Sequence, residues 1–351
     1  MKFNLPIWNG VKFKRFKDVT AGFKLYETAH KGIFVQKNPI LTNYQENYFH
    51  MTPLSGKGHL QKMRNTKLDF IKKNIKNVGH CLEIGAGDAH NMKTLKWKSY
   101  TICDPYLKTE KKKNIQIIGD YFEKINFKKK FDTIIMFAVL EHCEKFEVFI
   151  DNAKKNLKKN GRLFIEIPVI DNQFLNGDFN SLVHEHITYF FPSGISQFIK
   201  KKKMSLKNFY FKNDGAYLYI LNNNIKSSVF FDNNFFNLKF FFKLFKNKIK
   251  NFIKFLKINQ KKKIVFYGAN NGINTLLHFA SKNKGISFKN IFITDSDKNK
   301  WNKYLGSFNK KINDPKIISS CDLICVTSLS FKDEIISNLD KKKPIISLNE
   351  I

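Results

Sequence analysis

Gly79-His80-Cys81-Leu82-Glu83-Ile84-Gly85-Ala86-Gly87-Asp88-Ala89-His90-Asn91 reads as a strand, a tight turn and the start of a helix. A short apolar run carrying one acid breaks into Gly-x-Gly, which opens the backbone to close approach by a ligand. A dinucleotide fingerprint would place a third glycine at position 90. His90 stands there instead, so the loop is of a nucleotide-binding kind without the dinucleotide pattern.

Outward from this loop, apolar runs near 99–104, 114–118, 131–138 and 162–168 alternate with helix-like pieces. A helix-like stretch of about 59–76, with Leu60, Met63, Leu68, Phe70 and Ile71 on one face, precedes the loop. The rhythm predicts an α/β fold with a parallel sheet covered on both faces. Pro192 opens a further helix, and runs near 205–212 and 216–221, separated by Asn213-Asp214-Gly215, predict a hairpin. Acids fall at the strand ends: Glu83, Asp104, and Asp120 in Ile118-Gly-Asp-Tyr121. A carboxylate at the end of the second strand can accept hydrogen bonds from both hydroxyls of a ribose. Asp120 with the neighbouring backbone can read an adenine edge, and Glu83 can hold the loop.

Residues 222–262 change character, and about 234–258 reads as a helix rich in Phe and Lys. A basic aromatic helix can lie on a membrane surface, but a linker helix burying its Phe face against two domains is the simpler expectation. The glycine-punctuated pattern restarts with Lys263-Ile-Val-Phe-Tyr-Gly268-Ala-Asn-Asn-Gly272. A helix-like 273–280 and strands at 288–294, 323–327 and 344–348 follow. The expected organisation is an N-terminal segment of short elements and loops (1–57), a first domain (58–222), a linker helix (223–261) and a second, smaller Rossmann-like domain (262–351).

The net charge is +33, from 62 basic and 29 acidic residues, but all the basic ones except Arg15, Arg64 and Arg162 are lysines. Base readout and bidentate phosphate clamps favour arginine, so nucleic acid is not an expected partner. Cys81, Cys103, Cys143, Cys321 and Cys325 make no C-x-x-C pair, which argues for a reducing compartment and against structural zinc. Met1 to Gly10 holds no long apolar run, and no stretch of about eighteen apolar residues occurs, so a cytoplasmic protein with no membrane partner is expected.

The ordered set Cys81-Leu-Glu-Ile-Gly-Ala-Gly87, Thr101-Ile-Cys-Asp104, Gly119-Asp120, Phe131-Asp-Thr-Ile-Ile-Met-Phe-Ala-Val-Leu-Glu-His142 and Leu157-Lys-Lys-Asn-Gly-Arg-Leu-Phe-Ile-Glu-Ile-Pro168 resembles the motifs of class I S-adenosylmethionine-dependent methyltransferases. The resemblance implies S-adenosylmethionine as cofactor, with Glu83, Gly85, Gly87, Asp104, Asp120, Tyr121 and Ala138 as its contacts. Leu182-Val-His-Glu-His-Ile-Thr-Tyr-Phe190 is similar to the E-H-x-x-Y-F segment of sugar C-methyltransferases, which act on nucleotide-linked keto-deoxysugars. That family carries a C-terminal domain with a G-A-x-x-x-G loop and a T-L-L helix, matched here by 268–272 and 275–277. The resemblance implies a nucleotide-activated sugar as small-molecule acceptor, contacted by Tyr189, Gly268 and Gly272, and a homodimer is compatible with it. Two departures stand out. The family's cysteine-rich zinc module has no counterpart before Cys81, and its tyrosine two positions before the glutamate is Val183.

Methylating a carbon beside a ketone needs a base and donors that stabilise an enolate. A histidine beside a glutamate titrates near neutrality, so Glu185, His186 and His184 are the catalytic candidates, with His142 a weaker one. Adjacent residues of an extended chain point to opposite sides, so these three are not expected to converge on a metal. Methyl transfer to oxygen or nitrogen of a glycan precursor or small metabolite needs only one base and remains an alternative. A non-catalytic nucleotide-sugar binding protein is another.

Overall fold

The computed structural model describes residues 2–8, 10–15, 19–40, 59–87, 89, 91–92, 95–168, 170–212, 215–227, 229, 231, 237–306, 310–339 and 342–351. The readings placed on His90, on Tyr44, Tyr48, Phe49, Pro53 and Gly56, and on the 213–214 turn lie outside these residues.

The central sheet runs Ser205–Lys212, Gly215–Leu221, Leu157–Pro168, Phe131–Phe137, His80–Ile84, Ser99–Cys103, Ile115–Ile118 and Glu110–Lys112 in spatial order. The five inner strands, from 157–168 to 115–118, are parallel, and 215–221 enters antiparallel beside 157–168. Alternation along each strand sends side chains to two faces. Leu82, Ile84, Ile134, Met136, Leu163 and Ile165 meet the helices Phe146–Asn156 and Pro192–Lys201. Cys81, Ile135, Phe137 and Phe164 meet Phe70 and Ile71 of the helix His59–Asn74. Both faces are therefore covered, as the apolar runs require.

Two local readings are corrected. Between the second and third parallel strands no helix forms; Glu110–Lys112 folds back antiparallel on Ile115–Ile118 instead. The strand expected at 162–168 begins at Leu157, with an irregular register up to Arg162 and Asn160 at φ 60°.

Residues 264–351 build a second sheet, ordered Ile345–Ser347, Leu323–Val326, Ile264–Tyr267, Ile291–Thr294, Lys310–Asn313, Tyr304–Leu305 and, from the N-terminus, Val11–Lys12. A third, antiparallel sheet joins Lys2–Pro6, Thr20–Glu27 and Ile33–Gln36 to Thr188–Phe190. The short elements of residues 2–36 are thus strands, stitched into both later units. Helix Leu238–Ile258 buries Phe241, Phe245, Phe252 and Leu256 in one apolar cluster with residues of the N-terminal sheet, of 170–191 and of the C-terminal sheet.

Candidate functional site

In the central sheet the chain leaves His80–Ile84 to one side for the second and third strands, then crosses to the other side for Phe131–Phe137. A crevice opens beyond the carboxyl ends of strands at such a switch point. The loop at 85–87 and the turn after Phe137 form its two lips. Gly85 has φ 67°, and a Cβ there would lie 2.5 Å from Val139 Cγ2, so the lips touch through glycine. Ala138 sits exposed in the same left-handed region, at φ 55°, while its N–H donates to the Glu166 carbonyl at 3.2 Å. A non-glycine residue held there stores strain, a feature that concentrates at functional sites.

The acids predicted at the strand ends divide their work. Buried Glu83 accepts from Tyr100 Oη at 2.6 Å and from Asn91 Nδ2 at 2.5 Å, so it ties the chain after the loop to the second strand. Asp104 accepts from the Gly87 N–H and the Tyr106 N–H, both at 2.9 Å. Each carboxylate oxygen keeps a further lone pair for a diol. Asp120 accepts from the Tyr121 N–H at 2.7 Å, and Lys124 stands 4.9 Å from the Tyr121 ring centroid.

Residues 184–186 form a turn closed by the His186 N–H on the Val183 carbonyl, not the extended chain expected. The turn is strapped to the 3-10 turn Leu140–His142. The Ile187 N–H donates to the Glu141 carbonyl at 2.7 Å, Thr188 Oγ1 donates to the Cys143 carbonyl, and His142 Nδ1 lies 3.1 Å from the Glu185 carbonyl. These ties bring Glu141, His142 and His186 together, with one donor atom of each within 4.8 Å of the others. The two imidazoles meet edge to face, centroids 5.0 Å apart.

Burial sets their protonation. It pushes the Glu141 carboxyl up to about 8 and pulls the His142 and His186 imidazoles below their usual value, His186 the further. Burial thus favours the neutral form of both imidazoles. His184 is held elsewhere: its ring packs edge-on to Phe23, with Nε2 3.4 Å from the Ala21 carbonyl. Tyr189 spends its hydroxyl on Val183, donating to the carbonyl at 2.9 Å and accepting from the N–H at 3.2 Å, which clasps the turn. Glu141 was missed as a site residue in the sequence. Its signal was its place in Leu-Glu-His directly after the fourth parallel strand.

The second glycine loop is occupied by the protein itself. Gly272 donates its N–H to Asn180 Oδ1 at 2.7 Å, and Asn271 Nδ2 donates to the Phe179 and Leu182 carbonyls. Gly268, at φ 114°, closes on Thr327, whose Oγ1 would stand 2.7 Å from an added Cβ. Asp295 accepts from the Ala269 N–H at 2.8 Å, repeating the Asp104–Gly87 arrangement of the first sheet. Here, however, Lys300 pairs with that carboxylate at 2.9 Å. The helix N-terminus expected at a phosphate meets residues 179–182 instead.

Residues 58–201 match the family model described as a methyltransferase domain. A ubiquinone biosynthesis O-methyltransferase of Pelagibacter ubique (strain HTCC1062) is 30% identical over 114 residues, which are 30% of this chain and 46% of that protein. The chain thus spans about half the length of the curated relative it matches. Among solved structures, the N-methyltransferase NodS from Bradyrhizobium japonicum WM9 in complex with S-adenosyl-l-homocysteine is 16% identical, with a TM-score of 0.40 over 49% of this chain and 93% of that one. A DhpI complex is 12% identical, with a TM-score of 0.36 over 45% of this chain and 86% of that one.

Proposed function

We propose that the chain transfers a methyl group from S-adenosylmethionine to a small acceptor, from the premise that residues 58–201 are a class I S-adenosylmethionine-dependent methyltransferase domain. One observation carries the reading. The turn that Gly85 meets at Val139 runs directly into Leu140–His142, so the glycine loop and the Glu141, His142 and His186 cluster lie at one switch point of the sheet. When bound, the donor supplies an electrophilic methyl on a sulfonium. Gly85 and Gly87 admit it against backbone, and Asp104 accepts from its ribose hydroxyls. Glu185 and His186 take the proton of the acceptor, and the His142 imidazole, fixed through Nδ1 by the Glu185 carbonyl, orients it. Orientation does most of the work, because the methyl is already activated.

The acceptor class we infer is a nucleotide-activated keto-deoxysugar methylated at carbon. A base beside neutral imidazoles is what an enolate requires, and the 182–190 segment supports this choice. Methyl transfer to oxygen is the second reading, favoured by Val183, which leaves no hydroxyl at that position. Incubation with methyl-labelled donor and a nucleotide-linked keto-deoxysugar, followed by NMR of the product, separates the two: a C-methyl resonance is expected, and an O-methyl resonance selects the second. Replacing His186 by Ala should abolish turnover and leave S-adenosylhomocysteine binding intact. Absence of S-adenosylhomocysteine binding at millimolar ligand would overturn both readings.

A further inference from the structure

Glu141, His142 and His186 carry more than the proton transfer asks of them. Among the described residues they are the group whose donor atoms converge, all within 4.8 Å. They come from two segments, the turn after the fourth parallel strand and the 184–186 turn, held in register by three hydrogen bonds. Glu141 is 2% exposed, and its Oε2 is buried with no hydrogen-bond partner among the described residues. A carboxylate oxygen buried without a partner costs free energy unless a proton or a cation meets it. The His142 ring is held through Nδ1 at the Glu185 carbonyl, a backbone anchor of the kind that commonly orients metal-bound histidines.

We propose that Glu141, His142 and His186 bind a divalent first-row metal ion, with zinc the best match to two imidazoles and one carboxylate. Bonds of about 2.0–2.2 Å to such an ion put donors roughly 3–4 Å apart, so the observed spread closes by about 1 Å on binding. Two turns and three side-chain rotations supply that movement. Three protein ligands leave coordination positions open, the arrangement of ions that polarise an oxygen rather than brace a fold. The role of the ion rests on the methyltransferase reading: it draws electron density from the acceptor oxygen, and Glu185 alone then takes the proton. Its presence does not depend on that reading.

The test uses the full-length protein without a histidine tag, stripped with a chelator and dialysed. Zn²⁺ is titrated by calorimetry at pH 8, and Co²⁺ by visible absorption, whose d–d bands report nitrogen and oxygen ligation directly. One ion per chain is expected, with the affinity falling by about 10- to 100-fold or more in His186→Gln and Glu141→Gln. S-adenosylhomocysteine titration of the same stripped samples reports the folded donor site, so loss of ion binding in a variant that still binds it is specific. If stripped wild type takes up neither ion at micromolar concentrations, or if His186→Gln binds Zn²⁺ as tightly as wild type, the metal site is overturned. The methyltransferase reading then stands or falls on the S-adenosylhomocysteine result alone.

Discussion

Glycine at position 85 answers two demands at once. Its φ of 67° is costly for any residue with a Cβ, and that Cβ would press on Val139 at 2.5 Å, pushing the two lips of the crevice apart. Gly85→Ala should therefore weaken S-adenosylhomocysteine binding by at least tenfold and lower stability by about 1–2 kcal/mol, as read by calorimetric titration and thermal melting. Unchanged binding would place the donor elsewhere. Such positions are legible in a sequence because the demand is local: Gly-x-Gly after an apolar run, then acids at successive strand ends, each settled within a few residues. Glu141 was not legible in the same way. Nothing in Leu-Glu-His tells that this acid is buried; only the strap from residues 185–188, more than forty positions on, closes over it.

Elements paired across long separations show the same limit more strongly. The strands of the central sheet could be read from apolar runs because parallel strands buried on both faces have no alternation to lose. Within residues 2–36, Lys2–Pro6, Thr20–Glu27 and Ile33–Gln36 pair with one another, but Ile33–Gln36 and Val11–Lys12 are joined to the rest by Thr188–Phe190 and Tyr304–Leu305, and no local pattern announces those partners. Their docking has a measurable signature at His30, between Thr20–Glu27 and Ile33–Gln36. Its ring packs 4.9 Å from Phe198 and 6.1 Å from Phe146, on the two helices that cover the central sheet. Burial lowers the His30 pKa, with Lys201 adding to the effect and Glu147 opposing it. The unfolded chain then binds this proton more readily than the folded one, so stability present above about pH 6.5 is lost as the pH falls through the folded value. His30→Gln should narrow the gap between the melting temperatures at pH 7.5 and pH 5; an unaltered gap would remove His30 as a source of acid sensitivity. Beside the C-terminal sheet, Gly272 lets the helix Asn271–Ser281 meet Asn180, and an added Cβ would stand 2.8 Å from the Asn180 Nδ2. Residues 179–182 lead straight into the 184–186 turn. Gly272→Ala is expected to lower kcat of methyl transfer severalfold while S-adenosylhomocysteine affinity holds. Equal losses in both would mean that the contact supports the whole fold and not the acceptor side.

For the molecule as a whole, the helix Leu238–Ile258 decides whether the units stand separately. Phe245 is fully buried, with ring centroids 4.9 Å from Phe179, 5.4 Å from Phe174 and 6.0 Å from Phe3, and Phe252 lies 5.7 Å from Phe266 of the C-terminal sheet. One apolar cluster thus joins the N-terminal sheet, the helix and the C-terminal sheet, while the central sheet keeps clusters of its own on its two faces. Phe245→Ala should remove about 3–5 kcal/mol, the usual loss for a large aromatic cut out of a packed interior. The three tryptophans can say where that loss is felt. Trp8 and Trp301 pack against the shared cluster, and Trp97 packs against the central sheet. In urea, variants retaining one tryptophan each should report Trp8 and Trp301 moving together to lower denaturant in the Phe245→Ala background, ahead of Trp97. Should Trp301 unfold at its original midpoint, the C-terminal sheet would be stable without the helix, and the positioning of the 184–186 turn by that domain would have to come from the Asn180, Asn271 and Gly272 contacts alone.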